Sequence, residues 1–245
     1  MKRLVAVFAA ALMILAIAAP AMGQAAVRIH LIHGIPDTPV DVYVDDAVVF
    51  DNFNFGDTQD LSALAGETLV NLQVKLAGTD TVAIDAGDVA LPASGNYSII
   101  ANLDAAGTPT VTVFENDTSA IAAGEGRLQV RHVAAAPAVD VKANGDVAFP
   151  ALSNPDEAKA DLPAATYSVE VVPAGAAEPV VIGPADIAVN DGDSLIVYAV
   201  GSLEADSLTV LTESITGLGQ TPTEVPSGNS PVESGFPMAA VAGMA

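Results

Sequence analysis

Two histidine–aspartate pairs hold most of the chemical potential in this 245-residue chain. His33 is followed eight residues later by Asp41, and His132 stands in the same relation to Asp140. A carboxylate hydrogen-bonded to an imidazole fixes the ring and its protonation state, so such a pair either pins a loop or prepares a ligand-binding nitrogen. Here the intervening loop carries Pro36 and Pro39, and pinning it is the favoured reading. The other histidine, His30, lies three residues from His33 in a strand-like run, so the two side chains point to opposite faces and do not chelate one metal.

Hard-cation chemistry has candidates by ligand type only. Asp37, Asp41, Asp45 and Asp46 form one group and Asn190-Asp191-Gly192-Asp193 another, which makes Asp37, Asp41, Asp45, Asp191 and Asp193 the residues to which calcium would bind. Neither group follows the twelve-residue calcium loop, and aspartate is also a favoured turn former. Calcium is therefore an alternative, and the expected cofactor is none. Cysteine is absent, so thiol catalysis, thiolate metal sites, disulfides and attachment of lipid to an N-terminal cysteine are all excluded. No HExxH, GxSxG or phosphate-cradling loop occurs. The expectation is a protein with no catalytic residues. A glycan-acting enzyme using paired carboxylates is the most distant alternative. Asn96-Tyr97-Ser98 and Asn116-Asp117-Thr118 match the glycosylation sequon, which matters only in a host that glycosylates.

The elements that must position these residues are short strands. Arg28-Ile29-His30-Leu31-Ile32, Val40-Asp41-Val42-Tyr43-Val44 and Leu195-Ile196-Val197-Tyr198-Ala199-Val200 alternate in a two-residue period, the pattern of strands with one face on a core and one in water. Asn144-Gly145-Asp146 and Pro173-Ala174-Gly175 are typical of the turns between them. Seven or eight strands are expected per unit, with at most a helical turn or two at Asp57–Leu64 and Pro155–Ala160.

The unit occurs twice. His132, Asp140 and Phe149 repeat His33, Asp41 and Phe50 at a constant offset of 99 residues, and Ser207–Leu211 matches Thr110–Phe114 at an offset of 97. The expected organisation is a signal peptide at 1–23, repeat 1 at 24–119, repeat 2 at 120–216 and a Pro/Ser/Gly-rich tail at 217–245. The fold class is all-β: two tandem immunoglobulin-like antiparallel β-sandwich domains.

Lys2 and Arg3 followed by the apolar run Leu4–Ala18 have the form of an export signal, too short to span a membrane comfortably. The expected address is extracellular or on the cell surface. Phe236–Ala245 is apolar but about half the length of a span, so it would anchor the protein only if it continued beyond Ala245. The net charge of −22, from 30 acidic and 8 basic residues, repels nucleic acid and suits a solvated exterior.

The run Val27-Arg28-Ile29-His30-Leu31-Ile32-His33-Gly34-Ile35-Pro36-Asp37-Thr38-Pro39-Val40-Asp41-Val42-Tyr43-Val44-Asp45 resembles the hallmark of the bacterial domain of unknown function 4397 (DUF4397) family, V-R-V-V-H-A-S-P-D-A-P-A-V-D-V-Y-V-D-G. The second copy, Leu128–His132 to Pro137–Val141, is looser, with Lys142 in place of Tyr43. The resemblance implies a secreted or cell-surface β-sandwich, often in tandem, without assigned catalytic residues. The expected function is a non-enzymatic spacer, adhesion or ligand-binding module whose partner is an extracellular protein or glycan.

Overall fold

The computed structural model describes residues 27–220. The expected signal peptide and the apolar segment 236–245 lie outside the described residues. Among the described residues no helix is long and apolar enough to cross a membrane.

Two sets of eight strands follow one another. The first is β1 (Arg28–His33), β2 (Val40–Val44), β3 (Ala47–Phe53), β4 (Thr58–Asp60), β5 (Thr68–Leu76), β6 (Val82–Ala90), β7 (Asn96–Leu103) and β8 (Pro109–Glu115). The second is β9 (Glu125–His132), β10 (Val139–Ala143), β11 (Asp146–Leu152), β12 (Glu157–Pro163), β13 (Ala165–Pro173), β14 (Ile182–Val189), β15 (Ser194–Val200) and β16 (Thr209–Ile215). Each set forms two four-stranded sheets, ordered β4-β1-β7-β8 and β3-β2-β5-β6 in copy 1, and β12-β9-β15-β16 and β11-β10-β13-β14 in copy 2. The chain is thus two β-sandwiches of one topology. Each contains one parallel pair, β1 with β7 and β9 with β15, so the sandwiches are not antiparallel throughout.

Pairing register corrects two expectations. Phe114 pairs with Ser98 and Glu213 with Ile196, which aligns β8 with β16 at an offset of 99 and not 97. Pro155–Ala160 makes no helical turn: Glu157–Pro163 pairs with β9 along seven residues. The Asp57–Leu64 stretch holds a single 3-10 turn at Ser62–Leu64.

The larger correction concerns faces. Odd-numbered Ile29, Leu31, Ile99 and Ala101 point into the first sandwich, as Leu128, Val130, Leu195 and Val197 point into the second. The opposite faces were expected in water. Instead Ile32 and Ile100 of copy 1 pack with Val133, Ile196, Tyr198 and Val200 of copy 2 in a common buried cluster, flanked by Phe55, Phe114, Leu211 and Ile215. The β1/β7 sheet and the β9/β15 sheet are therefore covered on both sides, and Ser98–Asn102 and Gly126–His132 are buried without a break. Continuous burial marks a sheet held between two layers. The chain after β16 also stays attached, because Leu218 and Gln220 bond the backbone of buried Ile121 in the segment joining the copies.

Candidate functional site

The His–Asp pairs do not form the direct bond expected of them. His33 is fully buried, donates from Nε2 to the Thr38 carbonyl at 2.6 Å and stacks on Phe53. Asp41 turns its two oxygens elsewhere: Oδ1 accepts from the Asn52 amide at 2.8 Å and Oδ2 from the Gly78 amide at 2.9 Å. Asn52 has φ 49° and lies where β3 bulges against β2, so its N–H has left the ladder and the carboxylate replaces the lost partner. Copy 2 repeats the arrangement. His132 Nε2 donates to Pro137 O at 3.0 Å, and Asp140 accepts from Ala151 at 2.7 Å and Gly175 at 2.8 Å. The loop is still held, by two separate clamps. Backbone N–H donors lower the pKa of both aspartates, while burial lowers that of both imidazoles.

The acidic candidates are dispersed. Asp37 and Asp45 occupy positive-φ turn positions, at 53° and 48°. Asp191 accepts from the Gly124 amide at 2.8 Å, and Asp193 from that of Gly217 at 3.4 Å. Among the described residues no three His, Asp or Glu side chains converge as metal ligands.

The richest cluster of ionisable groups lies between the copies, where sequence reasoning did not look. Arg131 is fully buried and projects from β9 toward copy 1. Its Nε bonds Glu157 at 2.7 Å, Nη1 donates to the Tyr198 hydroxyl at 2.8 Å, and Nη2 donates to Asn116 Oδ1 at 2.7 Å. Its guanidinium also sits 4.3 Å from the Phe114 ring centroid. Two routes lead onward to one acceptor. The Tyr198 hydroxyl donates to Glu213 Oε2 at 2.9 Å; Asn116 Nδ2 donates to Ser98 Oγ at 2.9 Å, and Ser98 donates to the same Glu213 oxygen at 2.7 Å. His30 Nδ1 bonds the other Glu213 oxygen. Burial is the main reason the Tyr198 pKa is pushed up, which keeps the hydroxyl able to donate. With Arg131 donating hydrogen bonds at one end and Glu213 accepting them at the other, each group of the network has a partner, the condition under which buried polar groups rigidify a structure.

A second ionic contact holds the connecting segment. Asp117 meets Arg127 at 2.9 Å and Lys159 at 2.8 Å, and Arg127 also takes Asp161 in a fork at 2.7 and 3.0 Å. Lys159 and Ser119 hold the Asp117 carboxyl well below the usual carboxylate range. Three of the chain's 8 basic residues thus gather at this junction. The sequon asparagine Asn116 is 3% exposed inside the network, and its Nδ2 also donates to the other sequon residue, Asn96.

One signal for the junction was present in the sequence. Aligned by register, Arg131 occupies the place of Ile32, Tyr198 that of Ile100 and Glu213 that of Phe114. A position-by-position comparison of the copies exposes these swaps, whereas each strand read alone shows only alternation.

Residues 25–142 match the model of a protein family described as "Domain of unknown function (DUF4397)". The match covers the first sandwich and the opening strands of the second. No curated protein matches the chain.

Proposed function

We propose that the chain is a non-enzymatic, exported module in which two sandwiches serve as one rigid block; the DUF4397 family, whose model residues 25–142 match, has a description that assigns no activity. The junction carries this reading. A spacer or presenting domain must hold its ends at a fixed separation, and a flexible tandem would leave the outer faces of the β1/β7 and β9/β15 sheets in water. Here those faces bury Ile32, Ile100, Ile196 and Tyr198 around an internally satisfied Arg131–Glu213 network. Interfaces between domains are commonly polar and mobile unless large and apolar. This one combines a buried apolar cluster with hydrogen bonds of Arg131 and Glu213 that cross between the copies.

The run Lys2–Ala18, which has the form of an export signal, supports an extracellular address, and the net charge of −22 suits solvation there. Each histidine is engaged within the fold, His30 by Glu213 and the other two by backbone carbonyls, which favours a structural over a catalytic use. The contact surface is then the outer loops and edges, toward an extracellular protein or glycan. Surface labelling of intact cells with immunoblots of the culture supernatant tests the address, and finding the protein only in the cytosol overturns it. Small-angle scattering tests the block: one rigid four-layer body should fit the profile of the mature protein, and a need for independently moving sandwiches overturns the proposal.

A further inference from the structure

The interior of copy 1 contains a cavity of about 260 Å³ between its two sheets, and the matching space in copy 2 is about 70 Å³. The lining of the larger one is apolar throughout, with Val42, Phe50, Leu69, Leu72 and Val111 among its walls. Water needs two to four polar partners to occupy an interior site, and this one offers none. An empty volume of this size also forfeits the dispersion contacts that its walls would otherwise make.

The difference between the copies has a cause in the edge strand. In copy 2, β12 pairs with β9 over seven residues and closes the side of the sandwich. In copy 1, β4 pairs with β1 over three residues, after which Asp60 accepts the Ser62 amide and turns the chain into the 3-10 segment. Ser62 Oγ then accepts the Ile29 amide in place of a strand partner. Leu64, carried by that turn, lines the cavity while remaining 41% exposed, and Val49 on the edge strand β3 does so at 46%. Two exposed aliphatic side chains thus belong to the cavity wall, which brings the cavity to the surface there.

We propose that this cavity is a binding site for a single hydrocarbon chain on an uncharged molecule. Scaling from the roughly 150 Å³ that accommodates benzene, 260 Å³ has room for about ten carbons. The volume lies near the lower end of small-molecule pockets, which begin at about 300 Å³. No polar group inside would recognise a head, so the head stays at the mouth. The net charge of −22 disfavours an anionic one there. The site is independent of the rigid-block role, since it faces away from the junction between the copies.

Calorimetric titration of the full-length mature protein with 1-decanol tests the proposal, with phosphatidylcholine vesicles in a parallel co-sedimentation arm. Saturable binding of one decanol per chain is expected. If vesicles also bring the protein down, the natural chain belongs to a membrane lipid; if they do not, it belongs to a free small molecule. Val42→Phe should fill the cavity and weaken decanol binding by roughly tenfold or more. Val49→Asp, at an exposed position that tolerates a polar side chain, should weaken it by about threefold to tenfold by charging the mouth. Val147→Asp, on the corresponding strand of copy 2, should bind as the parent does. Absence of saturable binding by the folded parent overturns the proposal, as does parental affinity in Val49→Asp or an equal loss in Val147→Asp.

Discussion

The two copies are most alike where each holds itself together and least alike where they meet. In β2 and β10 the same aspartate clamps the same bulge and the same hairpin, down to amide distances of 2.8 and 2.9 Å in one and 2.7 and 2.8 Å in the other. On the facing sheets the side chains have parted: Ile32, Ile100 and Phe114 answer to Arg131, Tyr198 and Glu213. Had both copies kept the aliphatic set, the junction would be an ordinary apolar contact between identical faces. Had both carried the charged set, like charges would have been buried against each other. Copy 2 supplies the charged set together with Val133, Ile196, Tyr198 and Val200, and copy 1 meets it with Ile32, Ile100 and Phe114, so the two facing surfaces are complementary rather than alike. Charge at a buried contact is a poor source of stability but a good source of register. This junction fits that rule.

The contrast between the copies is broken most severely at Arg131. Arg131→Ala leaves Glu157 without its cation and Asn116 and Tyr198 without the guanidinium donor. Removing one partner of a buried ion pair costs about 3–5 kcal/mol. Chemical denaturation should show that loss, with one transition becoming two as the sandwiches come apart. Ile32→Ala, at the matching place in copy 1, removes only packing, at about 2–5 kcal/mol, and leaves no orphaned charge. It should shift the midpoint without splitting the transition. Next in size is Tyr198→Phe, which keeps the ring and deletes the hydroxyl that links Arg131 to Glu213. A buried hydrogen bond lost in this way costs about 1–3 kcal/mol. Ile100→Tyr, its counterpart, introduces a hydroxyl with no partner waiting and should destabilise rather than compensate, as the melting temperature of the double variant will show.

What the sequence made legible follows the same division. Alternation in Val40–Val44 and Leu195–Val200 marked strands, and the recurrence of His33/Asp41 as His132/Asp140 marked the duplication, because repeated units must repeat their own clamps. The clamps themselves were misread: eight residues of separation suggested contact, but β2 lies in the opposite sheet from β1, and each polar group found backbone closer to hand. Alternation is silent about what lies beyond a strand's second face. His30, Ser98, Gln129 and Arg131 are as polar as solvent-facing residues, so a face buried against another domain through a hydrogen-bonded network has the sequence pattern of a wet one. The cavity was hidden for a related reason. Copy 1 and copy 2 have equally apolar interiors, and whether the walls meet depends on where an edge strand leaves its sheet, decided here by Asp60 and Ser62.

Acid should sharpen the comparison by acting on the features that the copies share. Burial depresses the pKa of both His33 and His132 below the ordinary 6.5, against smaller opposing contributions from the Thr38 and Pro137 carbonyls and from Asp57 and Asp156. In the unfolded chain each ring takes up its proton near pH 6.5, whereas the folded protein resists until lower pH. The unfolded state therefore binds more protons in that interval, and stability falls as pH drops through 6.5 toward the folded values. The effect on the two rings should differ slightly. His132 Nδ1 already accepts the Ala134 amide at 3.3 Å, so protonation there sets one N–H against another. His33 Nδ1 is buried with no partner, so its proton would be unsatisfied but not opposed. A second fall should follow below about pH 3.8, where Asp41, Asp140 and Asp117, all depressed in the folded state, take up protons in the unfolded chain first. Urea midpoints measured from pH 8 to 3 should thus decline in two steps. Replacing His33 and His132 together by glutamine should abolish the upper step and leave the lower one, and an upper step that survives the double replacement would overturn its assignment to these two rings.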